Sequence, residues 1–261
     1  MLETFLAFIP NTVLRFIMNL KKHSKYRDKT FVAPFFENSF SDLPKLIQTF
    51  SGFRPRLERE VFCMDVGSNV GLYATAMLEA GFNNIQCFEQ NPEVFEHLSS
   101  NLSNFRAKKY TIHEFGIMRK SGKILLRSPD YAFTTFRKKA DRYAKGTKTI
   151  FSDTPGGIEC NFKSYEDFQH ILPKCPCGLI KVDVEGAEYE VVKSLTPLIL
   201  KDFPLIYMKM NPNYENSNKS LTATLYELGY RKASRVADGV EFEISTSIFL
   251  YDGKDYVFST A

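Results

Sequence analysis

Val61-Phe62-Cys63-Met64-Asp65-Val66-Gly67-Ser68-Asn69-Val70-Gly71-Leu72-Tyr73 is the stretch that decides the fold. Its first residues are apolar and strand-forming, two glycines follow, and residues 72–80 read as a helix. A strand that turns through glycines into a helix is a common ligand-binding geometry. Glycine lets the backbone approach a bound molecule closely, and the helix start presents unpaired N–H groups to it.

The spacing narrows the ligand. A dinucleotide fingerprint carries a third glycine and seats a pyrophosphate on the helix N-terminus. Here the pattern is Asp65-x-Gly67-x-Asn69-x-Gly71, which puts a carboxylate at the strand end. That charge repels a pyrophosphate and suits a ligand with a cationic end. The next apolar run, Ile85-Gln86-Cys87-Phe88, closes on Glu89, about where an acid holds a ribose diol. A ribose joined to a positive end describes S-adenosylmethionine.

The rest of the chain alternates in the same way. After Asn91-Pro92, a cap followed by a first-turn proline, Phe95, Leu98 and Leu102 make a helical stripe. Strands are expected at 110–117, 158–162 and 204–208, with a short antiparallel one at 123–126. Gly178-Leu179-Ile180-Lys181-Val182-Asp183 reads as a buried strand. A turn with Glu185 and Gly186 follows it, then a helix with Ala187, Val191 and Leu195 on one face. Short helices fit 165–171 and 221–228, the latter stopped by Gly229, and 230–236 and 246–251 are read as closing strands. Strands alternating with helices make a mostly parallel α/β sheet.

Composition sets the limits. With 261 residues, 44% hydrophobic and 25% charged, the chain fits one large globular domain with appendages. We divide it into a helical N-terminal arm or cap over 1–58 and the α/β domain over 59–261. A net charge of +4 is too mild to argue for nucleic acid, which calls for a concentrated basic face. Five cysteines, an odd number, with no secretory signal suggest reduced thiols and a cytoplasmic protein. Cys175-Pro176-Cys177 has no second pair to complete a zinc site and is read as structural.

Residues 1–20 are apolar at helical spacing, but Glu3, Pro10, Asn11 and Arg15 interrupt them, so neither a membrane span nor a signal segment fits. The favoured reading is an arm packed on the domain. The competing one is peripheral membrane contact through 1–29, helped by Lys21, Lys22, Lys25, Arg27 and Lys29. Arg137, Lys138, Lys139, Arg142, Lys145 and Lys148 form either a solvated loop or a positive surface that recruits an anionic acceptor.

In an open α/β sheet the ligand lies beyond the carboxyl ends of the strands, where Asp65, Glu89 and Asp183 all fall. Methyl transfer from a sulfonium is an in-line displacement that depends on holding the acceptor close and aligned. An alcohol acceptor must also lose a proton, to a carboxylate, a histidine or a metal-bound base. Asp183 and Glu185 suit a base or a metal-ligand role, although Glu185 also suits capping the next helix or pairing with Lys181. Glu188 is either a third acid of the site or an early-helix acid favoured by the dipole. His23, His97, His113 and His170 show no metal-ligand spacing; His113, nearest the third strand's end, suits a base, but the favoured reading is a structural histidine. No G-x-S-x-G elbow supports acyl transfer.

Asp65-Val66-Gly67-Ser68-Asn69-Val70-Gly71, Phe88-Glu89-Gln90-Asn91-Pro92 and Ile180-Lys181-Val182-Asp183-Val184-Glu185-Gly186-Ala187-Glu188 together resemble the FkbM-type methyltransferases. The resemblance spans about residues 61–211. It implies a class I, Rossmann-like fold with a mixed, mostly parallel seven-stranded sheet and helices on both faces. It also implies S-adenosylmethionine as cofactor and transfer to a hydroxyl of a sugar, glycan, glycolipid or polyketide-like product. Carried onto this chain, the cofactor positions are Asp65, Gly67, Ser68, Asn69, Gly71, Glu89, Gln90 and Asp183. The positions near the acceptor are Asp183, Glu185 and Glu188, and no metal site is indicated. The chain departs from the family at Phe162-Lys163-Ser164, where a Thr-Leu-Asp is usual, and at Met208-Lys209-Met210, where a glutamate is frequent.

Two other readings stay open. Asn211-Pro212-Asn213-Tyr214 resembles the Asn-Pro-Pro-Tyr loop that grips a flipped adenine, which would make this a nucleic-acid methyltransferase. A non-catalytic protein that keeps the fold is the other.

Overall fold

The computed structural model describes residues 43–54, 60–105, 109–127, 150–151, 158–184, 186–210, 215–245, 250 and 252–260. The segment 1–29, the basic residues from Arg137 to Lys148, Glu185 and the tetrad Asn211-Pro212-Asn213-Tyr214 lie outside them. In chain order the elements begin with α1 (Leu43–Phe53), β1 (Phe62–Val66), α2 (Leu72–Glu79), β2 (Ile85–Phe88), α3 (Pro92–Leu102), β3 (Tyr110–His113) and β4 (Gly116–Ile117). Then come β5 (Gly122–Arg127), β6 (Ile150–Phe151), β7 (Ile158–Lys163), α4 (Tyr165–Phe168), β8 (Cys177–Val182), α5 (Glu188–Ser194) and α6 (Thr196–Asp202). The last are β9 (Leu205–Lys209), α7 (Glu215–Glu227), β10 (Lys232–Arg235), β11 (Glu241–Glu243) and β12 (Asp255–Ser259).

The main sheet has the order β11-β10-β12-β9-β8-β1-β2-β3. β3, β2, β1, β8 and β9 run parallel, and β12, β10 and β11 continue antiparallel. This is the mixed, mostly parallel sheet expected, with β11 as an eighth strand hydrogen-bonded to the edge of β10. Every residue of β1, β2 and β8 is buried, as for parallel strands covered on both faces. Phe62, Met64, Val66, Ile180, Val182, Ile206 and Met208 pack with Val191, Leu195, Leu198, Ile199, Leu221 and Leu225 of α5, α6, their junction and α7. The opposite face, with Cys63, Ile85, Cys87, Leu179 and Tyr207, packs on Phe50, Ala74, Met77, Leu78, Leu98 and Leu102 of α1, α2 and α3. Gly81 and Gly229 end α2 and α7 in the same way. At each helix end the glycine N–H and the next one return to carbonyls of the last turn, Leu78 and Met77 in one, Tyr226 and Leu225 in the other.

One expectation is corrected, and one strand is missed by the sequence reading. The closing strand is β12: Tyr256, Val257 and Phe258 are buried, and β12 hydrogen-bonds to β9 on one side and β10 on the other; of the strand expected over 246–251, residues 246–249 and 251 lie outside the described residues. The strand expected over 110–117 breaks after His113, because Gly116–Ile117 pairs instead with β7. That pairing builds a second sheet, β4-β7-β5-β6, in which β5 is antiparallel to β7 as its isolated apolar run suggested. Ser194 fastens it to the main body, its hydroxyl donating to the Met118 carbonyl at 2.9 Å. Among the described residues no helix is long and apolar enough to cross a membrane.

Candidate active site

The loop after β1 is a backbone-conformation motif. Gly67, Asn69 and Gly71 all take positive φ, at 74°, 49° and 90°. Glycine and asparagine are the residues that tolerate that region. The glycines serve the protein rather than making room for a ligand. A Cβ on Gly67 would lie 2.1 Å from the Asp183 carbonyl oxygen, and one on Gly71 would lie 2.9 Å from Leu98 Cδ1. Several loop amides ahead of the helix are also engaged internally. Gly67 and Ser68 N–H donate to the Phe88 carbonyl, and Gly71 N–H to the Ser68 carbonyl. The Ser68 hydroxyl donates to the Asp65 carbonyl at 2.7 Å. Asn101, which the sequence gave no reason to single out, donates its side-chain amide to the Val70 carbonyl at 2.7 Å.

A lysine stands at the centre of the acids. Asp65, Lys181 and Tyr207 occupy neighbouring register positions on β1, β8 and β9, and so share one face of the sheet. Lys181 Nζ lies 2.9 Å from Asp65 Oδ1, with the two side chains 1% and 0% exposed. The ammonium also donates to the Gly67 carbonyl at 2.8 Å and stands 4.4 Å from the centre of the Tyr73 ring. Burial pulls Lys181 toward its neutral form, but Asp65, Asp183 and Glu89 outweigh it and raise its pKa. Apart from this ammonium, the buried Asp65 carboxylate has no hydrogen-bond partner among the described residues. Lys181 therefore pairs with Asp65, and the buried Asp65 carboxylate is linked to the loop above it through that ammonium.

Glu89 ties the β2 end to the loop. Oε2 accepts the Asn69 N–H at 2.7 Å and Oε1 the Asn91 N–H at 2.8 Å. Burial pushes its carboxyl above the ordinary glutamate value, partly offset by those two donors. Each oxygen keeps a second lone pair, so the group retains capacity for a diol. Gln90 follows, partly exposed.

Asp183 N–H donates to the Val66 carbonyl, which brings the β8 tip against the loop. Its carboxylate is partly exposed and accepts no hydrogen bond among the described residues. Its charge bears on Tyr73, Lys181, Glu188, Tyr207 and Asp255, so it lies at the convergence of the site. Glu188 is 5% exposed and braces its own loop, accepting Gly186 N–H on both oxygens at 3.1 and 3.0 Å and Val184 N–H at 3.3 Å. Burial raises its carboxyl too. His113 is 8% exposed, stacked on Phe88 at 4.6 Å, and within 2.9 Å of Gln86 Oε1. Burial lowers its pKa to about 4, which fits the structural role read from the sequence. No group of acids, histidines or cysteines among the described residues could hold a metal ion.

Sequence reasoning missed Lys181 as the hub, and Tyr73, Tyr207 and Asp255 beside it. A visible signal existed for Lys181: a lysine inside a wholly apolar strand must have an acid partner.

The family model for the methyltransferase FkbM domain matches residues 65–232. The hexuronic acid methyltransferase AglP of Haloferax volcanii is 29% identical over 139 residues, covering 53% of this chain and 52% of that protein. The match thus spans about half the length of this curated relative. Among solved structures, the methyltransferase FkbM of Methylobacillus flagellatus KT superposes with a TM-score of 0.48 at 16% identity, over 80% of this chain and 47% of that one. The precorrin-6y C5,15-methyltransferase of Geobacter metallireducens GS-15 gives 0.42 at 14% identity, over 82% and 84%.

Proposed function

The chain belongs to the FkbM family of S-adenosylmethionine-dependent methyltransferases, and on that premise we propose that it methylates a hydroxyl of a sugar, glycan, glycolipid or related natural product. The observation that carries this reading is the gathering of Asp65, Glu89 and Asp183 around one buried ammonium at the carboxyl edge of the sheet. The relative whose printed name specifies a hexuronic acid supports the sugar class.

When bound, S-adenosylmethionine supplies a methyl group activated by its sulfonium charge. The chain's own residues would do the rest by position. Glu89 is fixed by Asn69 and Asn91 and offers its remaining lone pairs to the ribose hydroxyls. The shape of the loop from Gly67 to Gly71 is set by Lys181 and Asp65 from below and by Asn101 from the side. Asp183 carries an uncommitted carboxylate toward the acceptor, and Glu188 holds the loop that follows it. Positioning of this kind can lower the barrier of a displacement that needs aligned atoms by about 7–11 kcal/mol.

The test is a panel of hydroxyl acceptors, uronic acids and neutral sugars included, incubated with the protein and methyl-labelled S-adenosylmethionine. Label in a sugar ether is the expected result. Tight S-adenosylhomocysteine binding with label only on nucleic acid or protein acceptors would overturn the substrate class.

A further inference from the structure

The antiparallel strand brings a fourth acid to the reacting edge. Because β12 runs against β9, its first residue stands beside the last residue of β9, and Asp255 is paired with Lys209. On the other side of β9, Val182 pairs with Met208, so Asp183, one residue further, stands level with Lys209. Asp183, Lys209 and Asp255 thus form a row of alternating charge across three strand tips. The row lies next to the Gly67 backbone, which touches Asp183.

Asp255 is held rather than merely placed there. The Tyr207 hydroxyl donates to Asp255 Oδ2 at 2.9 Å, and Oδ1 accepts no hydrogen bond among the described residues. Tyr207 is itself 1% exposed and packed against Tyr73, with ring centres 5.7 Å apart, in the first turn after the cofactor loop. Asp255 is partly exposed, so a ligand at this edge can reach it.

We propose that Asp255 is a catalytic residue of the methyl transfer, taking the acceptor's hydroxyl proton on Oδ1 while Tyr207 fixes Oδ2. The assignment rests on the function proposed above and deepens it. In the step, a lone pair of the acceptor oxygen forms the new bond to the methyl carbon. The pair of the breaking carbon–sulfur bond stays on sulfur, and the hydroxyl proton passes to Asp255, which releases it to water. The surroundings suit a base. Burial raises the Asp255 carboxyl above the ordinary aspartate value, and Asp183 adds to the rise. Tyr207, Lys209 and Lys45, the last from α1, hold it back.

The experiment uses Asp255→Asn and Tyr207→Phe in the full chain, with glucuronic-acid-terminated oligosaccharide as acceptor and a neutral-sugar panel beside it. Asp255→Asn is expected to bind S-adenosylhomocysteine within twofold of wild type while transfer falls about 10²- to 10⁴-fold. Tyr207→Phe removes a donor that stabilises the charged form, so the acid limb of the pH–rate profile should move to higher pH. Carbon-13 NMR of the aspartate carboxyls, which needs no acceptor, should show Asp255 titrating above free aspartate and higher still in Tyr207→Phe. Retention of more than a tenth of wild-type transfer by Asp255→Asn overturns the proposal. If wild type methylates no sugar, the substrate class fails separately, and the NMR titration alone decides Asp255. A carboxyl that titrates like free aspartate, or is unmoved by Tyr207→Phe, then overturns it.

Discussion

Replacing Lys181 with methionine tests the hub directly. The substitution keeps the stem's bulk and removes the only cation that, among the described residues, touches a carboxylate that is 0% exposed. Stripping one partner from a buried ion pair costs about 3–5 kcal/mol, because the other charge is left without compensation. For a protein of this size each kcal/mol moves the midpoint by about 2–4 °C, so Lys181→Met should melt roughly 6–20 °C lower. The carbonyls of Val66 and Gly67 lose their donor in the same variant. The assay is urea and thermal denaturation of Lys181→Met, Asp65→Asn and the double variant. The double variant should recover much of the loss, since no lone charge remains. The pH dependence has a defined sign. The Lys181 pKa is raised in the folded protein, so its stabilisation is complete below the unfolded value of about 10.4 and fades as pH climbs through the folded one. Lys181→Met should therefore flatten the alkaline limb of the wild-type stability curve. A single variant within about 1 kcal/mol of wild type, with an unchanged alkaline limb, would refute the reasoning.

Gly67→Ala and Gly239→Ala start from nearly the same backbone angle, φ 74° and 72°, but only Gly67 has a neighbour in the way. Denaturation should show Gly239→Ala losing about 1 kcal/mol and Gly67→Ala at least 2 kcal/mol more. Glu89→Ala removes the acceptor of two backbone N–H groups, each charge-assisted bond being worth about 1.5–3 kcal/mol, and calorimetry should find S-adenosylhomocysteine bound at least tenfold more weakly. His113 has its pKa lowered to about 4 by burial, so its contribution to stability is present above about 6.5 and lost as pH falls through about 4. His113→Phe should keep the stack on Phe88 yet show a shallower loss of stability across that window, read by denaturation at each pH.

Much of the main sheet was legible because parallel strands buried on both faces write near-continuous apolar runs, broken by charge only at Asp65 in Phe62–Val66 and at Lys181 in Cys177–Val182. Asp65, Glu89 and Asp183 stood out as charged residues at or just past the ends of β1, β2 and β8. The motif's glycines were legible as a turn but not in their purpose. What they avoid is the Asp183 carbonyl and Leu98, both on other elements of the fold, and no local spacing reports such contacts. Asp255 and Tyr207 were hidden for the same reason. Their pairing depends on β12 entering beside β9, a choice made by long-range register and masked by the more apolar run just before it. The second sheet was invisible because two of its strands, Gly116–Ile117 and Ile150–Phe151, are too short to show a period.

The position of β12 between β9 and β10 orders events during synthesis. β10 has no partner in the main body until Asp255–Ser259 has left the ribosome, since its other neighbour is only β11. Domains form from the N-terminal side as they are made. A nascent chain halted before residue 255 could assemble the floor of the Gly67–Gly71 loop from β1 and β8 while its β9 edge stayed open. Premature termination in that window would leave a sticky, half-built sheet, and quality control would meet it as an aggregation risk rather than as a slow enzyme.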